Sequence, residues 1–249
     1  MSKNTMMLYG KNSVLQRLKR NPRTIKKIFL DEAFNDGYIL TIVTRRKIPI
    51  IRKRNREFLR IKRADRLQGI IAEVQKYEYV PFKDLLGSSD GERLTLIFLD
   101  GLNDPHNLGS IMRTLACFGG FAIVIPKHGS CEVNDTVMHV ATGGENFVPV
   151  AVVTNISIAL RDAKKAGYWV AGSVVEGGQD IGKVELPFPL CLVLGSEGKG
   201  IRPGTENNLD LKVTLPMTGA KLSFNVGIAC AIFCHEIKRQ HGLRNEQKT

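Results

Sequence analysis

The chain has 249 residues, of which 43% are hydrophobic, and a formal net charge of +12 at pH 7. This length allows one large domain or two modest ones, and the ordinary apolar content excludes a fibrous or disordered protein. No apolar run approaches the roughly 20 residues of a membrane span, and the start, Met1 to Leu8, is too short and polar for a secretory signal, so we expect a cytoplasmic protein without a membrane partner.

The positive charge is concentrated in the first third of the sequence. Residues 1–80 contain 20 lysines and arginines against 7 acidic residues, a net charge of +13, whereas residues 81–249 contain 16 against 17. The basic residues are densest between Arg45 and Arg66. Such a density suits a surface that neutralises phosphates, and it lacks the large apolar residues of a membrane-surface helix. We therefore predict nucleic acid as its partner.

The basic segment is predicted to be a small α/β unit. Hydrophobic patterning predicts a helix over residues 12–20 and strands over residues 25–30, 39–43 and 69–74. A stretch rich in glycine and serine follows and is typical of a linker. The predicted organisation is therefore a basic substrate-binding domain at 1–80, a linker at 81–93 and a second domain at 94–249.

Strands and helices alternate strictly after the linker. Strands are predicted over residues 94–99, 121–125, 150–153, 169–174, 191–194 and 212–215, and helices over residues 107–118, 135–141, 156–166 and 224–240. Continuous apolar strands separated by helices indicate a mostly parallel sheet that is covered on both faces. In such sheets, ligands bind at the loops that leave the carboxyl ends of the strands.

Three of these loops contain glycine, proline and polar residues beyond what a turn requires. They read DGLNDPHNLGSIMR from Asp100, LGSEGKGI from Leu194 and LPMTGAKLSFNVG from Leu215. The second loop could cradle a phosphate, but its glycine spacing differs from that of dinucleotide-binding and Walker loops. A dehydrogenase or nucleotide hydrolase is therefore weakly supported.

The five cysteines are odd in number and lie mostly in apolar runs, which predicts free thiols in a reducing compartment. Cys230 and Cys234 are spaced as on one helix face, beside His235. They could form half of a metal site, but the sequence offers no second ligand pair. Small apolar side chains on a buried helix face are the favoured interpretation, and no metal is expected.

Taken together, the three loops resemble the three motifs of the SpoU (TrmH-type) family of RNA 2′-O-ribose methyltransferases, in the family's order and spacing. The N-terminal segment resembles the ribosomal-protein-like RNA-binding domain of the two-domain rRNA members. It does so through Leu8, Tyr9 and Gly10 and through residues 67–72, where Leu67 stands in place of the usual histidine.

The resemblance implies an α/β fold with two parts. A small N-terminal α/β RNA-binding domain precedes a C-terminal α/β-knot (SPOUT) domain, in which a mostly parallel sheet ends in a deep trefoil knot. The resemblance also implies a homodimer with its active site at the subunit interface, and S-adenosylmethionine bound among the knot loops.

By motif position, the resemblance implies a central catalytic role for Arg113. Because a free guanidinium group has a pKa above about 12, we expect Arg113 to orient the ribose hydroxyl and stabilise the alkoxide rather than to act as a simple base. The other polar motif positions with an implied catalytic role are Asn107, Glu197, Ser223 and Asn225. The implied contacts to the cofactor are Leu194, Gly195, Glu197, Gly198, Ile201, Leu215, Met217 and Phe224.

Each polar candidate also has a purely structural interpretation. Asn107 could cap the helix that follows it, and Ser223 or Asn225 could cap the last helix. Glu197 could offset a helix dipole, and Arg113 alone is typical of an exposed helix arginine. The joint pattern of three motifs favours function most strongly for Arg113 and Asn225.

Residues 143–145 have two interpretations. They fit the turn that ends a helix. The resemblance makes Glu145 a secondary candidate, because relatives place a loop near the target nucleotide at this position.

The predicted function is methyl transfer to a ribose 2′-hydroxyl, with a guanosine of large-subunit rRNA as the target that the resemblance implies. A tRNA substrate and an adenosine target remain open. So do a knotted enzyme that methylates a base nitrogen and a catalytically silent RNA-binding or ribosome-assembly protein.

Overall fold

The computed structural model describes residues 4–62, 66–87, 93–220 and 222–246. Residues 88–92 of the predicted linker, Lys221 of the third loop and the last three residues lie outside these ranges. Every helix in the described ranges is too short or too polar to cross a bilayer.

The N-terminal unit is a four-stranded sheet with helices. The strands are β1 (Thr5–Tyr9), β2 (Ile25–Asp31), β3 (Ile50–Lys53) and β4 (Ile70–Gln75), and the helices are α1 (Lys11–Arg20), α2 (Gly37–Arg45) and α3 (Asn55–Ile61). The strand order is β1-β4-β2-β3. β4 pairs antiparallel with β1 and β2, whereas β2 and β3 are parallel. The predicted helix and the strands at 25–30 and 69–74 are confirmed.

The predicted strand at residues 39–43 is wrong, because these residues lie in α2. The Asp36 side chain accepts a hydrogen bond from the backbone N–H of Ile39 at 3.2 Å and thereby begins the helix. Ile39 and Val43 are both buried at i and i+4, on one helix face. The uninterrupted apolar run resembled a buried strand, and the spacing of hydrophobic residues alone does not distinguish a short buried strand from a helix. β1, β3 and α3 were not predicted.

The second unit is a seven-stranded sheet in which every described strand pair is parallel. The strands are β5 (Thr95–Asp100), β6 (Phe121–Pro126), β7 (Val150–Val153), β8 (Trp169–Ser173), β9 (Gln179–Asp180), β10 (Leu190–Gly195) and β11 (Leu211–Thr214). The helices are α4 (Phe82–Leu86), α5 (Pro105–Phe118), α6 (Asp135–Ala141), α7 (Ile156–Lys165), α8 (Pro203–Glu206) and α9 (Val226–Glu246). The strand order is β7-β6-β5-β10-β8-β11-β9, which confirms the predicted parallel sheet.

Helices cover both faces of this sheet. Alternate residues of β5 point to opposite sides: Ile97 and Leu99 join the apolar cluster under α5, α6 and α9, whereas Leu96 and Phe98 join the cluster under α7. Cys230 and Cys234 are buried in the first of these clusters, as small apolar side chains on a helix face would be. The short helix α4 begins inside the segment predicted as a linker, and its Leu85 packs in the second cluster.

The two units pack directly against each other. The backbone N–H of Met7 donates to Asp135 Oδ1 at 3.1 Å, and Lys62 Nζ lies 2.5 Å from Asp135 Oδ2. The Tyr9 ring stacks on His139 with centroids 4.1 Å apart. Buried apolar residues of β1, α1, β5 and α5 belong to one continuous cluster, so the units share part of their core.

Candidate active site

A cavity of about 430 Å³ lies at the carboxyl ends of β8, β10 and β11. These three strands are neighbours in the sheet, so the loops that follow them meet at one edge. The start of α9 closes the cavity from the side, through Val226, Ala229 and Phe233. Seven of the eight predicted cofactor contacts line it: Leu194, Gly195, Glu197, Gly198, Leu215, Met217 and Phe224.

Ile201 is the predicted contact that the structure places elsewhere. Its side chain packs beside Leu209 in the apolar cluster under the sheet, and an added Cβ on Gly172 would lie 3.0 Å from its Cδ1. The loop has turned back on itself by this point, because Ser196 and Gly200 exchange two backbone hydrogen bonds of 3.1 and 2.9 Å. Of this loop, Gly195 to Gly198 and Gly200 therefore line the cavity, and Ile201 does not.

Gly195 allows this turn to close. A Cβ added at Gly195 would lie 2.2 Å from the carbonyl carbon of Gly200 and 2.4 Å from the backbone nitrogen of Ile201. Any side chain would therefore push the loop off the end of β10. The wall of the cavity here is backbone rather than side chain.

Three polar side chains, one from the first turn of α5 and two from the loops before α8 and α9, are joined by hydrogen bonds at the rim of the cavity. Asn107 Nδ2 donates to Glu197 Oε1, and Asn225 Nδ2 donates to Asn107 Oδ1 at 3.0 Å. Asn225 Oδ1 accepts the backbone N–H of Gly227 at 2.9 Å at the start of α9. The series holds the carboxylate of Glu197 in one place, and its second oxygen accepts no hydrogen bond from the residues that the structure describes.

The helix caps resolve the structural alternatives for these residues. Asp104 caps α5 by accepting the backbone N–H of His106 at 2.8 Å, so Asn107 is not the cap. Asn225 does cap α9 in addition to its contact with Asn107. Glu197 lies in the loop ahead of α8 rather than in a helix.

The two remaining catalytic candidates lie apart from this series. Ser223 lines the cavity and is exposed. Arg113 is also exposed, six residues beyond Asn107 on α5 and therefore about 9 Å further along the helix axis. It does not line the cavity of its own chain. One chain thus joins three of the five candidates by hydrogen bonds and places Ser223 at the same cavity.

Glu145, the secondary candidate, faces the N-terminal unit instead. Its side chain is buried and forms an ion pair with Arg17 of α1, with Nη2 and Oε1 3.1 Å apart. Burial raises the pKa of the Glu145 carboxyl, and the Arg17 guanidinium opposes that rise. The carboxylate therefore links the two units and does not line the 430 Å³ cavity.

Several lining residues carried no motif in the sequence. Ser173 ends β8 and Val174 follows it, Thr214 ends β11, and Phe233 is two turns into α9. The strand order, which sets β8 between β10 and β11, brings the strand-end residues to the cavity, and the packing of α9 brings Phe233. The role of Asp100 could have been predicted, because an acidic residue at the end of an otherwise apolar, fully buried strand needs a polar partner. Asp100 accepts the backbone N–H of Arg202 at 3.0 Å and anchors the loop after β10.

An apolar strip leads away from the cavity along α9. Ile228 and Ile232 are one helix turn apart and are 55% and 40% exposed, and Phe224 at the cavity is 44% exposed. α9 packs on α5, with Gly227 against Ser110. Exposed apolar patches of this kind mark interaction surfaces.

No cluster suited to a metal ion occurs among the described residues.

Comparison with known proteins assigns both units of the chain. Residues 94–235 match the family model described as the SpoU rRNA Methylase family, and residues 7–80 match the model described as RNA 2′-O ribose methyltransferase substrate binding.

Two curated relatives resemble the chain over nearly its whole length. The putative TrmH family tRNA/rRNA methyltransferase YacO of Bacillus subtilis (strain 168) is 33% identical and covers 96% of this chain and 98% of its own. The 23S rRNA (guanosine-2′-O-)-methyltransferase RlmB of Neisseria meningitidis serogroup B is 33% identical and covers 98% and 99%.

Two solved structures resemble the fold. A putative RNA methyltransferase of the TrmH family from Porphyromonas gingivalis has a TM-score of 0.76 at 26% identity and covers 95% of this chain and 90% of its own. The SpoU methyltransferase AviRb from Streptomyces viridochromogenes, in complex with AdoMet, has a TM-score of 0.78 at 17% identity over the same shares, a likeness of fold alone.

Proposed function

The chain belongs to the SpoU rRNA methylase family, and we propose that it transfers a methyl group from S-adenosylmethionine to the 2′-hydroxyl of a guanosine in large-subunit ribosomal RNA. The observation that carries the proposal is the joined series of Asn107, Glu197 and Asn225 at the rim of a backbone-walled cavity. The guanosine target draws on the names of relatives that are about one-third identical over nearly the whole chain.

The cavity fits S-adenosylmethionine. Its volume of about 430 Å³ lies in the range of small-molecule sites. Leu215, Met217 and Phe224 offer apolar surface for a flat base, while the backbone at Gly195 allows close approach without a side chain. Glu197 supplies a carboxylate for a positive group. When bound, the cofactor supplies an electrophilic methyl group on a sulfonium sulfur.

The chain's own groups would position the ribose for an in-line displacement, with the hydroxyl oxygen about 3 Å from the methyl carbon. Asn107 and Asn225 hold the Glu197 carboxylate, whose free oxygen can accept a hydrogen bond from the ribose. Ser223 stands at the cavity edge as a further donor or acceptor. Arg113 provides the positive charge for the developing alkoxide.

Arg113 requires a second copy of the chain in this proposal. It lies on the exposed side of α5 and away from its own cavity, next to the helix that carries the apolar strip of Ile228 and Ile232. Pairing of two such strips in a symmetric dimer would bury that surface. We propose that Arg113 then completes the cavity of the partner subunit.

The domain boundaries and the knot are part of the proposal. Residues 1–80 form the RNA substrate-binding domain, 81–93 the connection and 94–249 the catalytic domain. α9 packs on α5 although β11, which precedes it, lies three strands away from β5. Such a return supports a trefoil knot formed by the C-terminal segment. The cytoplasm is the compartment that the free thiols and the rRNA substrate favour.

Labelled-methyl transfer from S-adenosylmethionine to protein-free rRNA and tRNA tests the proposed function. The RNA is digested to nucleosides after the reaction, and we expect the label in 2′-O-methylguanosine from rRNA. Label in a base-methylated nucleoside, in another 2′-O-methylnucleoside or only in tRNA contradicts the proposed reaction, nucleotide or substrate respectively. Cofactor binding without transfer to either RNA, or to ribosomal assembly intermediates, would show a silent RNA-binding protein.

Reversing charges in the basic segment should weaken RNA binding. The triple variant Arg54→Glu, Arg56→Glu and Arg60→Glu alters residues on and next to α3. Removing one phosphate contact makes the slope of log affinity against log salt shallower by about 0.7 for single strands. Filter binding between about 50 and 200 mM salt should therefore show a flatter line for the variant than for the wild type. An unchanged slope would place the docking surface elsewhere.

Disrupting the apolar strip should dissociate the dimer. Ile228→Glu places a charge on a surface that is buried only in the assembly, so sedimentation at micromolar concentration should change from dimer to monomer. Ile158→Glu is the matched control, because Ile158 is 49% exposed on α7. A wild-type protein that sediments as an active monomer would refute the interfacial site.

A further inference from the structure

A second cavity of about 350 Å³ opens at the junction of the two units, away from the proposed active site. Residues 145–149 of the catalytic unit form one wall, and α1 with the end of β4 and the residues after it forms the other. The Asn21 amide donates to Asn146 Oδ1 at 3.0 Å across the junction. Residues of both units therefore hold the cavity in shape.

Two buried charged groups in this cavity have unused hydrogen-bonding atoms. Glu145 Oε1 accepts from Arg17 Nη2 and from Asn146 Nδ2, both at 3.1 Å. Within the described part of the chain, Arg17 Nε and Glu145 Oε2 are buried without a hydrogen-bond partner. Both residues line the cavity. An unsatisfied donor and an unsatisfied acceptor on two side chains that form an ion pair indicate a ligand that offers the complementary pair.

The charges in the cavity select the kind of ligand. Glu145 and Glu78 oppose a free anion, and Arg17 and Lys76 oppose a free cation. A neutral group with a donor next to an acceptor satisfies both open atoms, and every nucleobase has such an edge. An aromatic platform is also present, since Phe147 lines the cavity and is 44% exposed, with the Arg20 guanidinium 4.6 Å from its ring centroid.

We propose that this junction cavity binds one unpaired nucleobase of the RNA substrate, which stacks on Phe147 and pairs with Arg17 and Glu145. This inference rests on the proposed function, because it assumes an RNA substrate. The bound base holds the RNA strand at the junction of the two units. The distance along the strand between this base and the ribose in the active site is then fixed.

Binding of short RNAs tests the inference without any methyl transfer. The probes are decamers with one A, C, G or U at the centre of an otherwise abasic ribose-phosphate backbone, and a fully abasic decamer. We expect the wild-type protein to bind at least one base-bearing probe at least about tenfold more tightly than the abasic probe, within the range of base–aromatic stacking. Equal affinity for all five probes would overturn the inference.

Two variants and one control locate the effect. Phe147→Ala removes the platform and leaves the buried ion pair intact, so it should abolish the base preference while the affinity for the abasic probe stays the same. Glu145→Gln should abolish or change the preferred base. Tyr38→Ala is the control, because Tyr38 is also an exposed aromatic under a cation, Lys19, but lies outside the cavity. It should retain the preference.

Retention of the preference in Phe147→Ala would overturn the inference even if Glu145→Gln fails to fold. Such a result would leave the methyl-transfer assay unaffected, so the inference and the proposed function fail separately.

Discussion

Replacing Arg113 with alanine is expected to slow methyl transfer at least about 100-fold, which is the scale of lost transition-state electrostatics, while the affinity for S-adenosylmethionine stays nearly unchanged. The rate and the affinity should respond differently because the residues that line the cavity within one chain do not include the exposed Arg113. In the proposed dimer Arg113 of the partner subunit faces the ribose hydroxyl, so its removal leaves the cofactor contacts in place. Single-turnover rates at saturating RNA measure the first quantity, and calorimetric titration measures the second.

Arg161→Ala is the matched control, because Arg161 is an exposed helix arginine on α7, under the other face of the sheet. It should retain the wild-type rate. A wild-type rate in Arg113→Ala would remove Arg113 from the mechanism.

Mixed dimers decide whether Arg113 acts across the interface. A dimer of one Arg113→Ala subunit and one Glu197→Ala subunit contains one site with an intact cavity and an intact arginine only if the arginine comes from the partner. Co-expression with two affinity tags isolates this heterodimer. Restored transfer supports the interfacial site, whereas a heterodimer as inactive as either parent places Arg113 and Glu197 in the same subunit's site.

Glu145→Ala is expected to lower the free energy of unfolding by about 3–5 kcal/mol, because it leaves the charge of Arg17 buried and unpaired. The side chains of Arg17 and Glu145 are 7% and 0% exposed, so most of the Arg17 guanidinium stays out of contact with solvent when its partner is removed. The double variant Arg17→Met and Glu145→Leu removes both charges and should lose less stability than Glu145→Ala alone. Urea unfolding followed by circular dichroism measures the stability of the wild type and both variants.

Asp162→Ala serves as the control for this prediction. Asp162 pairs with Lys165 at 3.4 Å, but the two side chains are 49% and 80% exposed. An exposed pair contributes about 0–1 kcal/mol, so the control should unfold close to the wild type. Equal losses in Glu145→Ala and Asp162→Ala would show that the Arg17–Glu145 pair does not hold the two units together.

The sequence predicted the parallel sheet well because burial on both faces leaves a readable pattern. Residues 95–100 and 121–126 are uninterrupted apolar runs, apart from their ends, and each is a wholly buried strand. The same reasoning failed at Ile39 and Val43. A short apolar run fits either a buried strand or one face of a helix. Here the run is helical, and the helix begins where the Asp36 side chain accepts a hydrogen bond from the backbone N–H of Ile39.

The candidate site was predicted only in part. Motif spacing identified Asn107, Glu197 and Asn225, and the structure joins them by hydrogen bonds. The spacing did not show that Ile201, which follows the turn between Ser196 and Gly200, packs against the apolar cluster under the sheet. Glu145 was a secondary candidate because the resemblance places a loop near the target nucleotide there, whereas its observed partner Arg17 is 128 residues away in the chain.

The sequence by itself determined the basic first third, the alternating elements and the three loops, because charge, period and local turn chemistry are properties of neighbouring residues. Only the tertiary structure decided which strand ends are neighbours, since the position of β8 between β10 and β11 depends on pairing between segments far apart in the chain. It also decided that α1 lies opposite residues 145–149, where the two units enclose the junction cavity. Contacts of this kind arise from packing of whole elements, and no local pattern encodes them.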